Sequence, residues 1–371
     1  MQNLLTTQAP SEASPVLTEV RGQVGFITLN RPKALNALTL EMVRLLTECL
    51  LAWRDDANIQ AVAIRGTNKS GVFGAFCAGG DIRFFHQAAL AGDPALDDFF
   101  TEEYRLNHLI HTYPKPYIAF MDGIVMGGGM GISQSASHRL VTERTKMAMP
   151  ETHIGLFPDV GGGYFLSRCP GHVGEYLALT GEVIGAEEAI DYGLADVKVD
   201  AASLPALWDK LGSNSFEDWF ATDLGAACAY KQGVTALKQP QIDAHFGLLR
   251  VKHIVDSLEK AKDDIWAKKT AAVLRKRSPL MLHVTLEQIR KARGMSLADE
   301  LRMERDMVHH CFYLKPGVAS ETVEGIRALA VDKDYSPQWN PARIEDVKPG
   351  MADAFFVSPW AADAHPLRSL T

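Results

Sequence analysis

Short apolar runs alternate with longer amphipathic stretches through about the first 200 residues. The predicted strands, each a short apolar run, are Val24–Leu29, residues 61–64, Tyr117–Met121 and one that begins at Leu140. The predicted helices are residues 39–54 with Thr39 as N-cap, a stretch opened by Asp81, and residues 130–137. Alternation of strands and helices favours an α/β domain with largely parallel strands.

The pattern changes near residue 203, where helical periodicity takes over. Residues 256–276 and 279–293 predict long helices, and a polar tail with several prolines closes the chain. The helical part is expected to cover the first part rather than to stand as an independent domain. The predicted segments are a frayed tail over residues 1–15, a core over residues 16–202, and a helical C-terminal region over residues 203–371.

Composition narrows the function classes. The chain has 371 residues, 47% of them hydrophobic, and a formal net charge of −7. That charge argues against nucleic acid as the main partner, since phosphate contacts need clustered Lys and Arg. The five cysteines have no C-x-x-C spacing, which favours a reduced compartment, and no apolar run is long enough to span a membrane. The N-terminus has neither an apolar core nor Arg, so a cytoplasmic protein is predicted.

Two glycine-rich loops stand where a predicted strand leads into a helix. One is residues 76–81 (FCAGGD) and the other is residues 126–131 (MGGGMG). Amides at a helix start lack an internal partner, and glycine lets a ligand approach the backbone closely. Two such loops facing each other would offer two N–H donors to one oxygen, which is an oxyanion hole. Each loop taken alone is explained equally well by tight turns.

The motifs together resemble the crotonase (enoyl-CoA hydratase/isomerase) superfamily. The similar segments are residues 29–38 (LNRPKALNAL), residues 76–83 and residues 115–131. The resemblance extends from residue 24 to about residue 200 and implies an α/β crotonase (ClpP-like) spiral of ββα units with a helical C-terminal region. It makes the N–H groups of Gly80 and Gly128 the oxyanion donors.

The reaction depends on which acids face the thioester. Residues 149–163 (MPETHIGLFPDVGGG) resemble the branch of the superfamily that hydrolyses 3-hydroxyisobutyryl-CoA. By that resemblance Glu151 and Asp159 are catalytic, and Glu103 holds the substrate hydroxyl. Superfamily hydratases normally carry a second Glu where this chain has Gly131, which weighs against hydration. The plain alternatives are a loop-ordering hydrogen bond for Glu151 and Asp159, and a solvated or ion-paired helix position for Glu103.

The resemblance implies hydrolysis of an acyl-CoA thioester in valine breakdown. Glu151 either attacks the carbonyl to form a mixed anhydride or activates water as a base, and Asp159 orients Glu151 or the water. The sequence leaves both routes open. The substrate-binding residues implied are Gly79, Glu103, Gly128, Glu151 and Asp159.

CoA needs cations for its phosphates, and Arg31 and Lys33 are the candidates near the first strand. No metal site and no cofactor are predicted, since CoA is part of the substrate. An acyl-CoA is the expected partner, without nucleic acid or membrane, and the resemblance is compatible with a homo-oligomer. Two other functions remain open: an enoyl-CoA hydratase or isomerase on the same fold, and a non-catalytic acyl-CoA-binding protein.

Overall fold

A largely parallel sheet forms the centre of the protein. The computed structural model describes residues 14–213, 215–227 and 238–371. Its strands are β1 (Val16–Arg21), β2 (Val24–Leu29), β3 (Ala61–Asn68), β4 (Gly71–Val72), β5 (Tyr117–Met121), β6 (Ile124–Met126), β7 (His138–Val141), β8 (Lys146–Ala148) and β9 (Val197–Lys198). The main sheet has the order β1-β2-β3-β5-β7-β9, with β4 attached to β3. All neighbours along that order after β1 are parallel, as predicted.

A second, smaller layer explains how distant loops come together. Strands β6 and β8 pair in parallel, and parallel bridges join Leu38 to Gly80 and Cys77 to Val125. Each turn of the chain therefore adds one extended segment to the main sheet and one to this layer. The segments around Leu38, Gly80, Val125 and Met147 consequently lie side by side, although they are far apart in the sequence.

Helices surround the sheet and make up most of the second half. They are α1 (Leu40–Asp55), α2 (Ile82–Ala91), α3 (Ala95–His111), α4 (Gly128–Gly131), α5 (Gly162–Leu166), α6 (Val173–Thr180), α7 (Ala186–Asp191), α8 (Leu204–Leu211), α9 (Phe216–Asp218), α10 (Gly225–Ala227), α11 (Gln239–Phe246), α12 (Val251–Lys260), α13 (Ile265–Leu274), α14 (Pro279–Ala292), α15 (Leu297–Tyr313) and α16 (Glu321–Ile326). Helix α1 begins after Thr39, whose side chain accepts a hydrogen bond from Met42 N, as its predicted N-cap role requires.

Two helix predictions are wrong. The helix expected over residues 130–137 is instead the short α4, which begins at Gly128 and ends at Gly131. The single helix expected over residues 256–276 is divided into α12 and α13. Asp264 causes the break, because its side chain caps the second helix by accepting from Ala267 N.

One buried apolar cluster contains residues from both halves of the chain, from Val16 to Leu367. It joins strand β2, helix α3 and the C-terminal helices α14 and α15. The three-segment division remains a prediction, and residues 1–13 of the proposed tail lie outside the described residues, as does Cys228. In the described ranges, no helix combines the length and apolar character needed to cross a membrane.

Candidate active site

The first glycine loop is held by a buried asparagine. Asn36 Nδ2 donates to the carbonyls of Thr67, Ala75 and Phe76 at 2.8, 3.2 and 3.0 Å. Beyond it, Leu38 N donates to Gly79 O at 2.8 Å and Asp81 N donates to Leu38 O at 3.0 Å. These two bonds involve the carbonyl before Gly80 N and the amide after it. That amide has no acceptor among the described residues.

The second glycine loop presents its amide in the same way. Gly127 has a φ of +48°, which glycine tolerates and other residues rarely adopt, and its N–H donates to Ala148 O at 3.3 Å. Gly128 is the first residue of α4, where an amide has no acceptor within the helix. Within the described ranges, Gly128 N makes no hydrogen bond to another group.

The two loops touch each other. A Cβ placed on Gly79 would lie 3.6 Å from Gly128 N, and one placed on Gly128 would lie 3.5 Å from the Gly79 carbonyl carbon. Gly79 itself has a φ of +108°. Gly79, Gly80 and Gly128 all line one cavity of about 200 Å³. Two N–H groups without an acceptor in the described ranges therefore belong to residues that line one cavity.

Three carboxyl groups enter this cavity from different elements. Glu103 comes from α3, Glu151 from the 3₁₀ turn that follows β8, and Asp159 from the loop before α5. A Cβ on Gly128 would lie 2.6 Å from Glu103 Oε1, and one on Gly127 would lie 2.8 Å from Glu151 Oε1. The acids therefore lie against the same loop that supplies the second amide. Glu103 is only 2% exposed, so the reading of it as a solvated acid is wrong.

Glu103 and Glu151 each have an oxygen available for a ligand. Glu103 Oε1 and Glu151 Oε2 are buried and have no hydrogen-bond partner in the described part of the chain. Asp159 Oδ2, in contrast, accepts a hydrogen bond of 2.8 Å from Tyr104 Oη. Buried polar atoms without partners are rare in proteins, and here both belong to residues that line the cavity.

Burial and mutual repulsion raise the pKa values of these three acids. Burial, followed by the charges of Asp159 and Glu151, raises the pKa of Glu103 well above its usual range. Burial and then Asp159 do the same to the pKa of Glu151. For Asp159, burial and Glu304 raise the pKa to about 7, against the opposing hydrogen bond from Tyr104. Near neutral pH the three groups therefore carry fewer than three negative charges.

Apolar side chains complete the cavity wall. They are Ile82, Phe85, Phe100, Ile154, Leu156, Val160 and Leu329. Leu329 belongs to the C-terminal region, so this part of the chain contributes one side chain to the cavity wall. Such a wall lowers the local dielectric and strengthens the hydrogen bonds that an oxyanion would receive.

Gly131 does not line this cavity. A Cβ at that position would lie 2.7 Å from Val160 Cβ and 3.0 Å from Asn107 Nδ2. There is consequently no room for a longer side chain at position 131 without displacing Val160. Val160 and Asn107 therefore pack against position 131, where superfamily hydratases carry one of their two Glu residues.

The two predicted phosphate-binding cations differ in availability. Arg31 donates to the Ala37 carbonyl and, at 3.1 Å, to Asp81 Oδ2, so its guanidinium braces the first glycine loop. Lys33 is exposed on the 3₁₀ turn of Pro32–Ala34. Of the basic residues in the helical half, Arg275 pairs with Glu259 and Glu345.

Sequence reasoning missed a basic groove beside the cavity. It has a volume of about 830 Å³, and its lining includes Arg83, His86 and Lys333. Helix α2 supplies Ile82 and Phe85 to the cavity and Arg83 and His86 to the groove, so the two are adjacent. The position of Arg83 directly after the first glycine loop was a signal that could have identified it.

Cys77, beside the first glycine loop, is a packing residue. It is fully buried, and that burial raises the pKa of its thiol to about 12. The thiol therefore stays protonated and is a poor nucleophile.

Comparisons with known proteins identify the family of the chain. The family model for enoyl-CoA hydratase/isomerase matches residues 24–356. The mitochondrial 3-hydroxyisobutyryl-CoA hydrolase of Gallus gallus is 39% identical over 363 residues, covering 96% of this chain and 92% of the relative. The probable 3-hydroxyisobutyryl-CoA hydrolase 3 of Arabidopsis thaliana is also 39% identical, covering 92% of this chain and 91% of the relative.

Two solved structures match nearly the whole chain. A carnitinyl-CoA dehydratase from Mycobacterium thermoresistibile has a TM-score of 0.84 at 36% identity, covering 96% of this chain and 99% of that one. An enoyl-CoA hydratase from Rhodobacter sphaeroides 2.4.1 has a TM-score of 0.82 at 36% identity, covering 93% and 98%. The predicted spiral fold is therefore confirmed.

Proposed function

The chain belongs to the enoyl-CoA hydratase/isomerase family, and from that premise we propose that it is a thioester hydrolase. It converts 3-hydroxyisobutyryl-CoA and water to 3-hydroxyisobutyrate and CoA, a reaction of valine breakdown. Relatives named for this reaction align over more than nine-tenths of both chains, which supports the substrate. The reaction needs no cofactor, because CoA is part of the substrate.

One observation carries the proposal: two free amides and a buried pair of acids, Glu151 and Asp159, share one cavity. The thioester oxygen accepts hydrogen bonds from Gly80 N and Gly128 N. Negative charge develops on that oxygen as the carbonyl is attacked, so both bonds strengthen in the transition state. Removing one such donor typically slows an enzyme about 10²- to 10³-fold.

The attack can follow two routes with the same residues. In one, Glu151 bonds to the thioester carbon, the CoA thiolate leaves and takes a proton, and water then hydrolyses the mixed anhydride. In the other, Glu151 removes a proton from water as that water attacks the carbon directly. Asp159 orients the attacking group in both routes.

Isotope labelling and trapping distinguish these routes. Under single-turnover conditions in ¹⁸O-water, label in the Glu151 side chain demonstrates the anhydride. Hydroxylamine would trap the same anhydride as a hydroxamate, whichever of the two anhydride carbonyls water attacks. The variant Glu151→Gln is the control for direct attack of hydroxylamine on the thioester. An unlabelled Glu151 together with no enzyme-dependent hydroxamate supports the general-base route.

Hydration is the second candidate, because the two solved structures above carry hydratase and dehydratase names. The packed Gly131 position argues against it, since no second Glu can enter the cavity from there. Thiol release from 3-hydroxyisobutyryl-CoA, read with a thiol reagent, is the expected activity. Loss or gain of enoyl absorbance without thiol release would establish a hydratase and reject the hydrolase.

Glu103 is proposed to hold the 3-hydroxyl group, because its free, buried Oε1 lies against Gly128. We expect Glu103→Gln to lower kcat/KM for 3-hydroxyisobutyryl-CoA about tenfold more than for isobutyryl-CoA, since only the first substrate has the hydroxyl. Thiol-release kinetics on both substrates measure the ratio. An equal loss on both would show that Glu103 does not recognise the hydroxyl.

A further inference from the structure

A buried acid outside the cavity holds the loop that carries Asp159. Glu304, on α15, is fully buried. Its Oε2 accepts a hydrogen bond from Gly161 N at 2.8 Å, and its Oε1 accepts one from Gly163 N at 3.1 Å. Both amides follow Asp159 closely in the chain. Glu304 is 145 residues further along the sequence, and the mechanism above does not use it.

A second side chain holds the other end of the same loop. Gln288, on α14, is also fully buried. Its Nε2 donates to Pro158 O at 2.7 Å and to Glu304 Oε1 at 3.0 Å. The backbone is thereby held directly before Asp159 by Gln288 and directly after it by Glu304.

The loop needs such support because its backbone is strained. Val160 has a φ of +57°, a conformation that a β-branched residue rarely adopts, and Gly161 follows with a φ of +86°. Strained residues persist only where the surroundings over-determine them, and they cluster at functional sites. Val160 and Asp159 both line the cavity, so this bend directs Asp159 towards the site.

We infer that Glu304 is a positioning residue for catalysis, which together with Gln288 holds the loop of residues 158–163 so that Asp159 faces the substrate. This role rests on the proposed hydrolysis, in which Asp159 orients the attacking group. Glu304 does not itself line the cavity, so it acts through Asp159 rather than on the substrate.

The charge of Glu304 reaches the site as well. The groups that face Asp159 are Glu103 and Tyr104 from α3, Glu151 from its turn, and Glu304, Glu300 and Cys311 from α15. After burial, Glu304 is the largest influence that raises the pKa of Asp159.

Glu300 explains how this buried charge is tolerated. It lies one helical turn before Glu304, is fully buried, and burial raises its pKa to about 7. Burial and the charge of Glu300 also raise the pKa of Glu304, so the pair shares a proton near neutral pH. Three N–H groups donate to Glu304 and hold its carboxyl group in place beside the loop.

The test compares three variants of the full-length protein. Glu304→Gln keeps the size of the side chain but loses the charge and one acceptor. We expect its kcat for 3-hydroxyisobutyryl-CoA to fall roughly 10- to 100-fold, as for other misplaced catalytic groups. KM should change by less than about threefold, because the oxyanion amides and the basic groove are untouched. The acid limb of the kcat profile should shift, because the Glu300–Glu304 pair beside Asp159 no longer shares a proton.

Gln288→Met separates position from charge. It removes the bonds to Pro158 O and to Glu304 Oε1 but keeps both carboxyl groups of the Glu300–Glu304 pair, so kcat should fall while the acid limb shifts less than in Glu304→Gln. The matched control is Glu175→Gln, another buried acid, which pairs with Arg293 at 2.7 Å and does not line the cavity. Its kcat and pH profile should equal those of the unmodified protein.

Hydrogen exchange supplies a readout that does not depend on the reaction. Peptides covering residues 158–163 should exchange faster in Glu304→Gln than in Glu175→Gln. The inference would be overturned if Glu304→Gln showed the same hydrogen exchange, kcat and acid limb as the unmodified protein. It would also be overturned if Glu175→Gln showed changes as large as those of Glu304→Gln. If Glu304→Gln does not fold, an unchanged kcat in Gln288→Met overturns it. If the unmodified protein releases no thiol but Glu304→Gln still exchanges faster, the proposed hydrolase activity is rejected. The role of Glu304 in holding the loop would then still be supported.

Discussion

Asp159 shows how several neighbours set the chemistry of a single carboxyl group. Burial and Glu304 raise its pKa, the hydrogen bond from Tyr104 lowers it, and the balance is about 7. An acid in this range can exchange protons near neutral pH, which suits a group that orients water or passes a proton. An exposed aspartate at the same sequence position would stay ionised throughout the physiological range.

Substitution of the two cavity acids should abolish turnover without unfolding the protein. We expect Glu151→Gln to lower kcat about 10²- to 10⁴-fold, because it removes the attacking or proton-accepting group. Asp159→Asn should lower kcat by a smaller factor, because the amide can still accept from Tyr104. Thiol release and thermal unfolding measure the two effects separately. A Glu151→Gln protein that keeps more than about a tenth of the activity would contradict both mechanistic routes.

Activity should depend on pH with a definite sign. The pKa of Asp159 is raised to about 7, and its ionised form is the active one, so protonation removes activity as the pH falls. We expect kcat/KM to decline as the pH falls through about 7, by at least about tenfold per pH unit, since Glu151, whose pKa is also raised, must be ionised as well. A thiol-release profile measured from pH 5 to 9 tests this. A plateau extending down to pH 5 would show that no raised carboxyl controls the reaction.

At the scale of elements, the small second layer matters most for the site. It aligns the starts of the segments that carry Gly80, Gly128 and Glu151, because their preceding residues pair in parallel. The glycine loops leave this layer at the same edge. Convergence of the two amides is therefore a property of the topology, and the glycines permit the close approach that it requires.

Asn36 is the side chain that fixes the first glycine loop to β3. Replacing it with Ala leaves three buried carbonyls without their donor, at a cost of about 3 kcal/mol in unfolding free energy. The folded fraction should also turn over more slowly, since the loop that positions Gly80 N is loosened. Urea unfolding and thiol release check the two effects.

Asn58→Ala is the matched control for this prediction. Asn58 is exposed, and its side chain donates to Asp56 at 3.0 Å with no other partner among the described residues, so its loss should change stability by less than about 0.5 kcal/mol. Equal stability of the two variants would show that the Asn36 bonds contribute little.

On the scale of the whole molecule, charge is distributed unevenly. The chain carries a net charge of −7, yet Arg83, His86 and Lys333 surround the groove beside the cavity. A local basic groove can attract the phosphates of CoA despite the overall negative charge. Arg31 was predicted for this role, but its bonds to Asp81 and Ala37 commit it to the loop.

Arg83→Gln should therefore weaken binding of CoA thioesters specifically. We expect KM for 3-hydroxyisobutyryl-CoA to rise about three- to tenfold, because one exposed phosphate contact is lost. The N-acetylcysteamine thioester of the same acid lacks the phosphates, so its KM should not change. Lys69→Gln, on the turn between β3 and β4, is the control for an exposed cation elsewhere. A rise in KM for both thioesters would indicate a disturbed cavity rather than a lost phosphate contact.

The sequence alone indicated four strands of the parallel sheet, β2, β3, β5 and β7, and the two glycine loops, and its resemblance to the family singled out Glu151 and Asp159. These features are encoded locally: apolar runs, glycines at strand ends and a characteristic loop can all be recognised within about twenty residues. Helix limits were less certain, since the side-chain cap at Asp264 and the early end of α4 outweighed the apolar periodicity.

Only the tertiary structure decided which distant side chains act on that site. Tyr104, Gln288, Glu304 and Leu329 reach it from helices and turns that carry no local motif. Their proximity follows from how the second half packs over the first. Amphipathic periodicity predicts only that a residue is buried, and it does not indicate which residues surround it. The resulting low dielectric also raises the pKa values of the acids, since burial depends on the whole fold and not on neighbours in the chain.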